Sequence, residues 1–445
     1  MKLYYDIKDK PKFPQLVVYA IQQLLAIMAA TLVVPIIIGN GMQPSAALFG
    51  AGIGTLVYVL FTKAKSPVFL GSSFAFLGSM GAAFAGAAST AAGYAGLIIG
   101  AAFAGLVYVG IALIVKLVGV KWIDKLMPKQ VIGPTVALIG LSLAGNAIGD
   151  LQKGKYLIEG VSAANPHIAI LCGLVTLVVT MICSTYGKKG IKLIPFIIGI
   201  LSGYAVAAVF TVIGIKTGND TLRVIDFAVF SDLKILTVPD FTFLTAKDGI
   251  KDIDASYIAT IAVAYLPVAF VVFAEHIADH KNISSIIEKD LLKEPGLHRT
   301  LLGDGVGSMV GAFFGGCPNT TYGESVACVA ITRNASVYTI ITAAIGAMLI
   351  AFFDPFVAFV DSIPSCVMGG VCMALYGFIA VSGLKMIKDV NLEENRNLFT
   401  VSVILISGIG GLSLTFGKIT ITSIACALIL GIITNFILSK EKAAE

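Results

Sequence analysis

Runs of about twenty apolar residues follow one another along this chain from Phe13 to Ile437. Coiled as a helix, each run matches the roughly 30 Å hydrocarbon core of a bilayer. Lipid offers no partner to an open backbone group, so such runs must be helices or strands of a closed barrel. Their apolarity is continuous rather than alternating, which selects helices. Fourteen segments are expected, near 14–38, 44–62, 66–85, 94–118, 130–149, 167–185, 192–214, 256–279, 299–315, 317–332, 336–353, 363–384, 398–414 and 418–438. The fold class is therefore all-α and polytopic. Composition agrees: 13% of residues are charged, against roughly 25% in soluble domains. The first run, Phe13–Ile38, is too long for the core of a cleavable signal.

Lysine and arginine placement sets the orientation. With both termini cytoplasmic, most of the 31 basic residues fall in cytoplasmic loops, and five of the others lie in the long external loop 215–255. The net charge of +5 thus reports topology, not nucleic-acid binding. The loop divides the segments into seven plus seven. An odd number per half inverts the second half, as in many transporters built from inverted repeats. The third segment of each half is interrupted by polar or glycine-rich residues, Gly71-Ser72-Ser73 and Pro318-Asn319-Thr320-Thr321. Paired interruptions point to a midplane binding site. The loop carries Phe227, Phe230, Phe241 and Phe243 and has room for a short interfacial helix. The stretches 281–300 and 385–397 read as solvated connections. The seven cysteines lie mostly in apolar runs and read as small buried hydrophobes.

Carboxylates inside such segments are costly and are normally kept to handle a solute or an ion. Glu275 and Asp279, in AEHIADH, share a helix face at i, i+4. Two acids in a low dielectric disfavour double ionisation, which suits a proton-coupled site. Asp279 and His280 also suit the start of a solvated loop, and for His280, though not for Asp279, that is the preferred reading. His276 and His280 have a metal-compatible spacing, but no HExxH motif supports a metal, and no cofactor is expected beyond a proton as coupling ion. Glu324 ends NTTYGE. A half-helix starting near Tyr322 would aim free N–H groups at a ligand, and Gly323 would let that ligand approach the main chain. Gly71-Ser72-Ser73-Phe74 offers the same device: a serine cap, free N–H groups and an aromatic face. Ser72 and Ser73 also suit a plain helix cap, and Phe74 and Tyr322 plain packing. Two acidic acceptors, backbone donors and aromatic faces match a flat heterocycle with alternating N–H and C=O, such as uracil.

At NTTYGES the chain resembles the nucleobase–ascorbate transporter family (nucleobase–cation symporter type 2), and within it the uracil-transporting bacterial members. The likeness covers nearly the whole length. It includes Gln22-Gln23-Leu24-Leu25-Ala26, GSSFAF at 71–76, AEHIADH at 274–280, Lys289-Asp290-Leu291-Leu292, Pro295 to Arg299, Ile331-Thr332-Arg333 and Tyr376-Gly377. The resemblance implies a core domain from 1–126 and 256–356 and a gate domain from 127–215 and 357–445, with 216–255 as an extracytoplasmic loop. It implies short antiparallel strands in spans 3 and 10, and a homodimer through the gate domains. It further implies proton-coupled uracil uptake across the cytoplasmic membrane, with Glu275 and Glu324 hydrogen-bonding the base. The main-chain N–H groups of Phe74 and Gly323 would meet its carbonyls, and Tyr322 and Tyr376 would border the pocket. The chain departs from the family at Asp279, where a uracil-transporting relative has histidine, and at Ser325-Val326-Ala327, where Asn-x-Gly is usual. Purine-type members commonly carry glutamine and asparagine at the positions of Glu324 and Ser325, so this pair favours uracil over xanthine. A purine permease of the same family and an anion exchanger of the same architecture are the alternatives. No nucleophile–base pair suggests an enzyme.

Overall fold

The computed structural model describes residues 3–119, 122, 128–188, 190–416 and 419–440. In chain order it runs through α1 (Phe13–Ile38), α2 (Pro44–Phe61), β1 (Leu70–Ser72), a 3-10 turn (Phe74–Phe76), α3 (Leu77–Ala85) and α4 (Thr90–Val118). Next come α5 (Lys129–Ser142), α6 (Ala144–Asp150), the hairpin β2 (Leu157–Ile158) and β3 (Val161–Ser162), α7 (Pro166–Tyr186) and α8 (Pro195–Thr217). The second half holds α9 (Thr242–Gly249), α10 (Ala255–Ile287), α11 (Leu297–Gly315), β4 (Asn319–Thr321), α12 (Gly323–Thr332), α13 (Val337–Ile350) and α14 (Asp354–Ser362). It ends with α15 (Ser365–Ile387), α16 (Asn395–Ile409), the hairpin β5 (Leu414–Phe416) and β6 (Ile419–Ile421), and α17 (Ser423–Ile437). Among the described residues, eight helical spans are long and apolar enough to cross a membrane, and five further apolar helices are shorter.

The ends of these helices follow local chemistry. Ser89 and Asp254 cap α4 and α10 by accepting from Ala92 N and Tyr257 N at 3.2 and 2.7 Å, which satisfies donors the first turn leaves free. Prolines open α1, α2, α7 and α8, where the missing N–H costs nothing.

The helices pack in two groups. In the first, α11 lies across α2 and α4, with α1, α10, α12 and α13 around them; in the second, α15 packs on α5 and α7, with α8, α16 and α17 beside them. The α2–α11 crossing is close because it is lined by glycine: a Cβ on Gly54 would sit 2.7 Å from Gly307 O, and one on Gly315 2.6 Å from Ala46 O. Without a hydrophobic force between helices in lipid, such backbone approach is a main source of packing energy.

The interruptions become strands. β1 and β4 pair antiparallel with the register Leu70↔Thr321, Gly71↔Thr320 and Ser72↔Asn319. Two further bonds extend the crossing, Ser73 N to Pro318 O at 2.9 Å and Tyr322 N to Phe69 O at 3.3 Å. Extended backbone buried this deeply is tolerated because each strand supplies the other's partners.

Several expectations need correction. Helix α10 does not stop at 279 but continues to Ile287, and at 1.5 Å per residue it is about 50 Å long. His280 is buried, not solvated. The stretch 281–300 is not a plain solvated connection, since Ile283, Ile287, Leu291 and Leu297 are buried in it. A separate helix, α14, precedes the expected segment 363–384. The loop 215–255 does hold a short helix, α9, and Phe241 joins a ring cluster with Phe49, Phe314 and Phe352 at centroid distances of 4.9–6.3 Å. Six cysteines are buried and Cys183 is half-buried.

Candidate functional site

Where the β1–β4 crossing meets α10 and α12, a cavity of about 400 Å³ opens between the two helix groups. One wall comes from the first group: Phe74, Glu275, Asp279, Thr320, Thr321, Tyr322, Gly323 and Glu324 line it. The facing wall comes from α5, α8 and α15, through Ile139, Phe196, Leu375 and Phe378. Glu275 and Glu324, from segments far apart in the chain, thus face one cavity. Both are half-buried, as is Asp279.

Local structure explains each position. Tyr322 is the extended N-cap of α12 (φ −109°, ψ 125°), and Glu324 stands in the first turn, where the positive end of the helix favours a carboxylate. The side chain of Tyr322 does not lie free in the cavity: its hydroxyl donates to Ser72 O at 2.6 Å. A Cβ on Gly71 would overlap that ring, so glycine is required at the crossing. Tyr322 therefore both lines the cavity and clamps β1. Asp279 is not a loop residue. Its Oδ2 accepts from the Thr321 hydroxyl at 2.8 Å, and its Oδ1 lies 3.9 Å from the point where a Cβ on Gly323 would stand. The acid on α10 is thereby tied to the strand that leads into α12.

Phe74 opens the 3-10 turn after β1. The expected serine cap is absent there: Ser73 holds the N-cap position without a side-chain cap bond. Tyr376 is not among the residues lining the cavity. It sits behind Phe74, edge-on, with ring centroids 6.0 Å apart and planes at 78°.

Sequence reasoning did not foresee the contacts of several residues at or behind the site. Thr320 lines the cavity, and its buried hydroxyl has no partner among the described residues. Ser325, where the family usually has asparagine, accepts from Phe69 N at 2.9 Å and from Gln23 Nε2 at 2.5 Å. One hydroxyl thus joins α12 to the start of β1 and to α1. On the far side of α10, His276 Nδ1 lies 2.7 Å from Asp304 Oδ2 and Nε2 lies 3.0 Å from Thr300 Oγ1. His280 Nε2 lies 2.7 Å from the Tyr58 hydroxyl. The two imidazoles are stacked at 4.0 Å. Both histidines are engaged inside the protein, on the face of α10 away from the cavity.

Membrane-length helices around a carboxylate-lined cavity define the class, a multi-pass membrane protein. A family model, Xan_ur_permease, described as "Permease family", matches residues 14–417, and the chain belongs to that family, the nucleobase–ascorbate transporters. Similar proteins include the uracil permease of Bacillus caldolyticus, 39% identical over 99% of this chain and 96% of the relative. The uracil permease of Bacillus subtilis (strain 168) is 37% identical over 100% of this chain and 97% of its own length. That of Escherichia coli (strain K12) is 35% identical over 96% and 92%. Among solved structures, the transmembrane domain of a cyanobacterium bicarbonate transporter, BicA, aligns with a TM-score of 0.62 at 16% identity, covering 96% of this chain and 98% of that one. The murine anion transporter Slc26a9 aligns with a TM-score of 0.66 at 10% identity, covering 97% and 69%. At such identities the likeness is one of fold alone.

Proposed function

We propose that this permease is a secondary-active uracil:proton symporter that imports uracil across the cytoplasmic membrane by alternating access. The observation that carries the reading is the convergence of Glu275, Glu324 and Asp279 on one cavity that also holds the start of α12. Glu275 and Glu324 accept the ring N–H groups. The main-chain N–H groups of Phe74 and Gly323, at the starts of two helical segments with no partner inside them, donate to the ring carbonyls. Phe74 covers the ring face, with Tyr376 supporting it from behind. Glu275 and Asp279 carry the coupled proton. The names of the relatives support uracil as the solute.

The two helix groups support a core domain (1–126 and 256–356) moving against a gate domain (127–215 and 357–445), within fourteen spans arranged as a seven-plus-seven inverted repeat. The matching strand-then-short-helix units, β1 with α3 and β4 with α12, support that symmetry. Both termini are cytoplasmic in this reading. The cavity is bordered by Lys192, Ser382 and Met386, at ends that the lysine distribution assigns to the cytoplasm, so the conformation reads as inward-open. A homodimer would form through the gate domains.

The test is labelled-uracil uptake into proteoliposomes with and without an imposed pH gradient. Gradient-driven accumulation that Glu275→Gln abolishes is the expected result. Accumulation by Glu275→Gln with normal pH dependence overturns the coupling role, and failure of the unaltered protein to take up uracil overturns the substrate.

A further inference from the structure

Behind the β1–β4 crossing lies a second, very small cavity, of about 10 Å³, bordered by Phe76, Tyr108, Asp304, Ser308 and Asn319 among others. Three of these side chains are almost fully buried: Tyr108 is 4% exposed, Asp304 1% and Asn319 2%. Each presents one oxygen with no hydrogen-bond partner among the described residues: the Tyr108 hydroxyl, Asp304 Oδ1 and Asn319 Oδ1. Leaving one such group unpaired is costly, and three around one space call for a common partner.

The identity of each atom is fixed by its other bonds. Asn319 Nδ2 donates to Gly50 O at 2.9 Å; a carbonyl only accepts, so the amide cannot be turned round and Oδ1 is the atom left over. Asp304 Oδ2 is engaged with His276 Nδ1 at 2.7 Å, which leaves Oδ1. The small cavity therefore presents two unpaired acceptors and the Tyr108 hydroxyl, which can donate, with the Ser308 hydroxyl also on its border. We propose that it is a binding site for a single water molecule, which donates to Asp304 Oδ1 and Asn319 Oδ1 and accepts from the Tyr108 hydroxyl. Those are the two donors and one acceptor bond that a water supplies. Buried waters typically make about three hydrogen bonds, and one needs roughly 10–15 Å³ of such space. A divalent metal ion would want about six oxygens, more than Tyr108, Asp304, Ser308 and Asn319 together leave free here.

The bound water joins α4, through Tyr108, and α11, through Asp304, to the first residue of β4. Through Asp304 and His276 it also reaches α10. The strand whose next residues, Thr320 and Thr321, line the large cavity is thus anchored from behind by a solvent molecule. The inference is independent of which solute the permease carries.

The test is an experimental map of the full-length protein at a resolution that shows ordered water, prepared once in sodium chloride and once in choline chloride. One peak about 2.6–3.2 Å from all three oxygens, present in both salts, is expected. Tyr108→Phe should weaken that peak and lower the apparent melting temperature by a few degrees. No peak between three ordered side chains overturns the proposal. So does a peak only in sodium, with contacts near 2.4 Å and melting that rises with sodium but not choline, which identifies a sodium site instead. An unchanged peak and melting temperature in Tyr108→Phe overturns the assignment of the tyrosine as donor.

Discussion

Replacing Glu324 by glutamine keeps the shape of the side chain and the start of α12 but removes the charge and turns one acceptor oxygen into a donor. Glu324 lines the cavity in the first turn of α12, and the proposed binding mode has it accept from a ring N–H. A hydrogen bond to a charged group contributes about 1.5–3 kcal/mol. At about 1.4 kcal/mol per tenfold, Glu324→Gln should weaken uracil binding by roughly ten- to a hundredfold. The favourable interaction with the helix end, about 0.3–1 kcal/mol, goes as well, so the melting temperature should fall slightly while the fold survives. Equilibrium binding to purified protein in detergent reads the first effect without any dependence on transport, and a melting curve reads the second. Unchanged uracil affinity in a variant that melts cooperatively would refute the argument, because the one acid on α12 that faces the cavity would then make no contact with the ligand.

Further outcomes are expected. Thr321→Val removes the hydroxyl that donates to Asp279 at 2.8 Å and should lower uptake several-fold, whereas Thr321→Ser should retain most of it; equal uptake by both would show that the bond is idle. Gly311→Ala drives a methyl into the Asn319 amide and should shift β4, lowering both folded yield and uracil binding, which size-exclusion profiles and binding assays would reveal. At the N-terminal segment, the Lys289 ammonium, 2.5 Å from Asp6, holds the Asp6 carboxyl below its usual value. The folded value is the depressed one, so this contribution is complete above the usual carboxylate pKa of about 3.9 and is lost as pH falls through the lower folded value. Both partners are half-exposed, so it amounts to at most about 1 kcal/mol. Hydrogen exchange at residues 4–9, corrected for the intrinsic rate, should show the same protection at pH 6 and pH 8; a loss of protection between those values would assign the anchor to another group.

The helices were legible where apolar length alone decides them. The ends of α1, α2 and α7 fall within a residue or two of the hydropathy limits, because lipid imposes one rule on every residue of such a run. Hydropathy failed at the end of α10. His280, Lys281, Asn282 and Ser284 look like a loop by composition, yet the helix continues: Tyr58 meets His280 inside the protein and Ile283 and Ile287 are buried, while Lys281 and Asn282 face outward. Glu275, Asp279 and Glu324 could be found because a carboxylate in an apolar run is itself a signal. Asp304 carried the same signal, but it stands in the glycine-rich run LLGDGVGSMVG, and its partner His276 comes from another segment. Thr320 and Ser325 could not have been found this way. Hydroxyls are cheap in helices and turns alike, and only the register of β1 on β4 and the packing of α12 against Phe69 and Gln23 show what these two face. Tyr376 was named by likeness, and its position one layer back is a matter of side-chain packing that no local pattern encodes.

The hydroxyl bond from Tyr322 to Ser72 reaches across 250 residues of chain. During synthesis, β1 must therefore wait in the bilayer with its edge unpaired until nearly three quarters of the polypeptide has been made. Contacts so distant in sequence form late and slowly, and an unpaired strand edge invites the wrong neighbour. Truncated products that stop before β4 should accordingly be the species that quality-control proteases remove, because the first half on its own has nothing with which to close that edge.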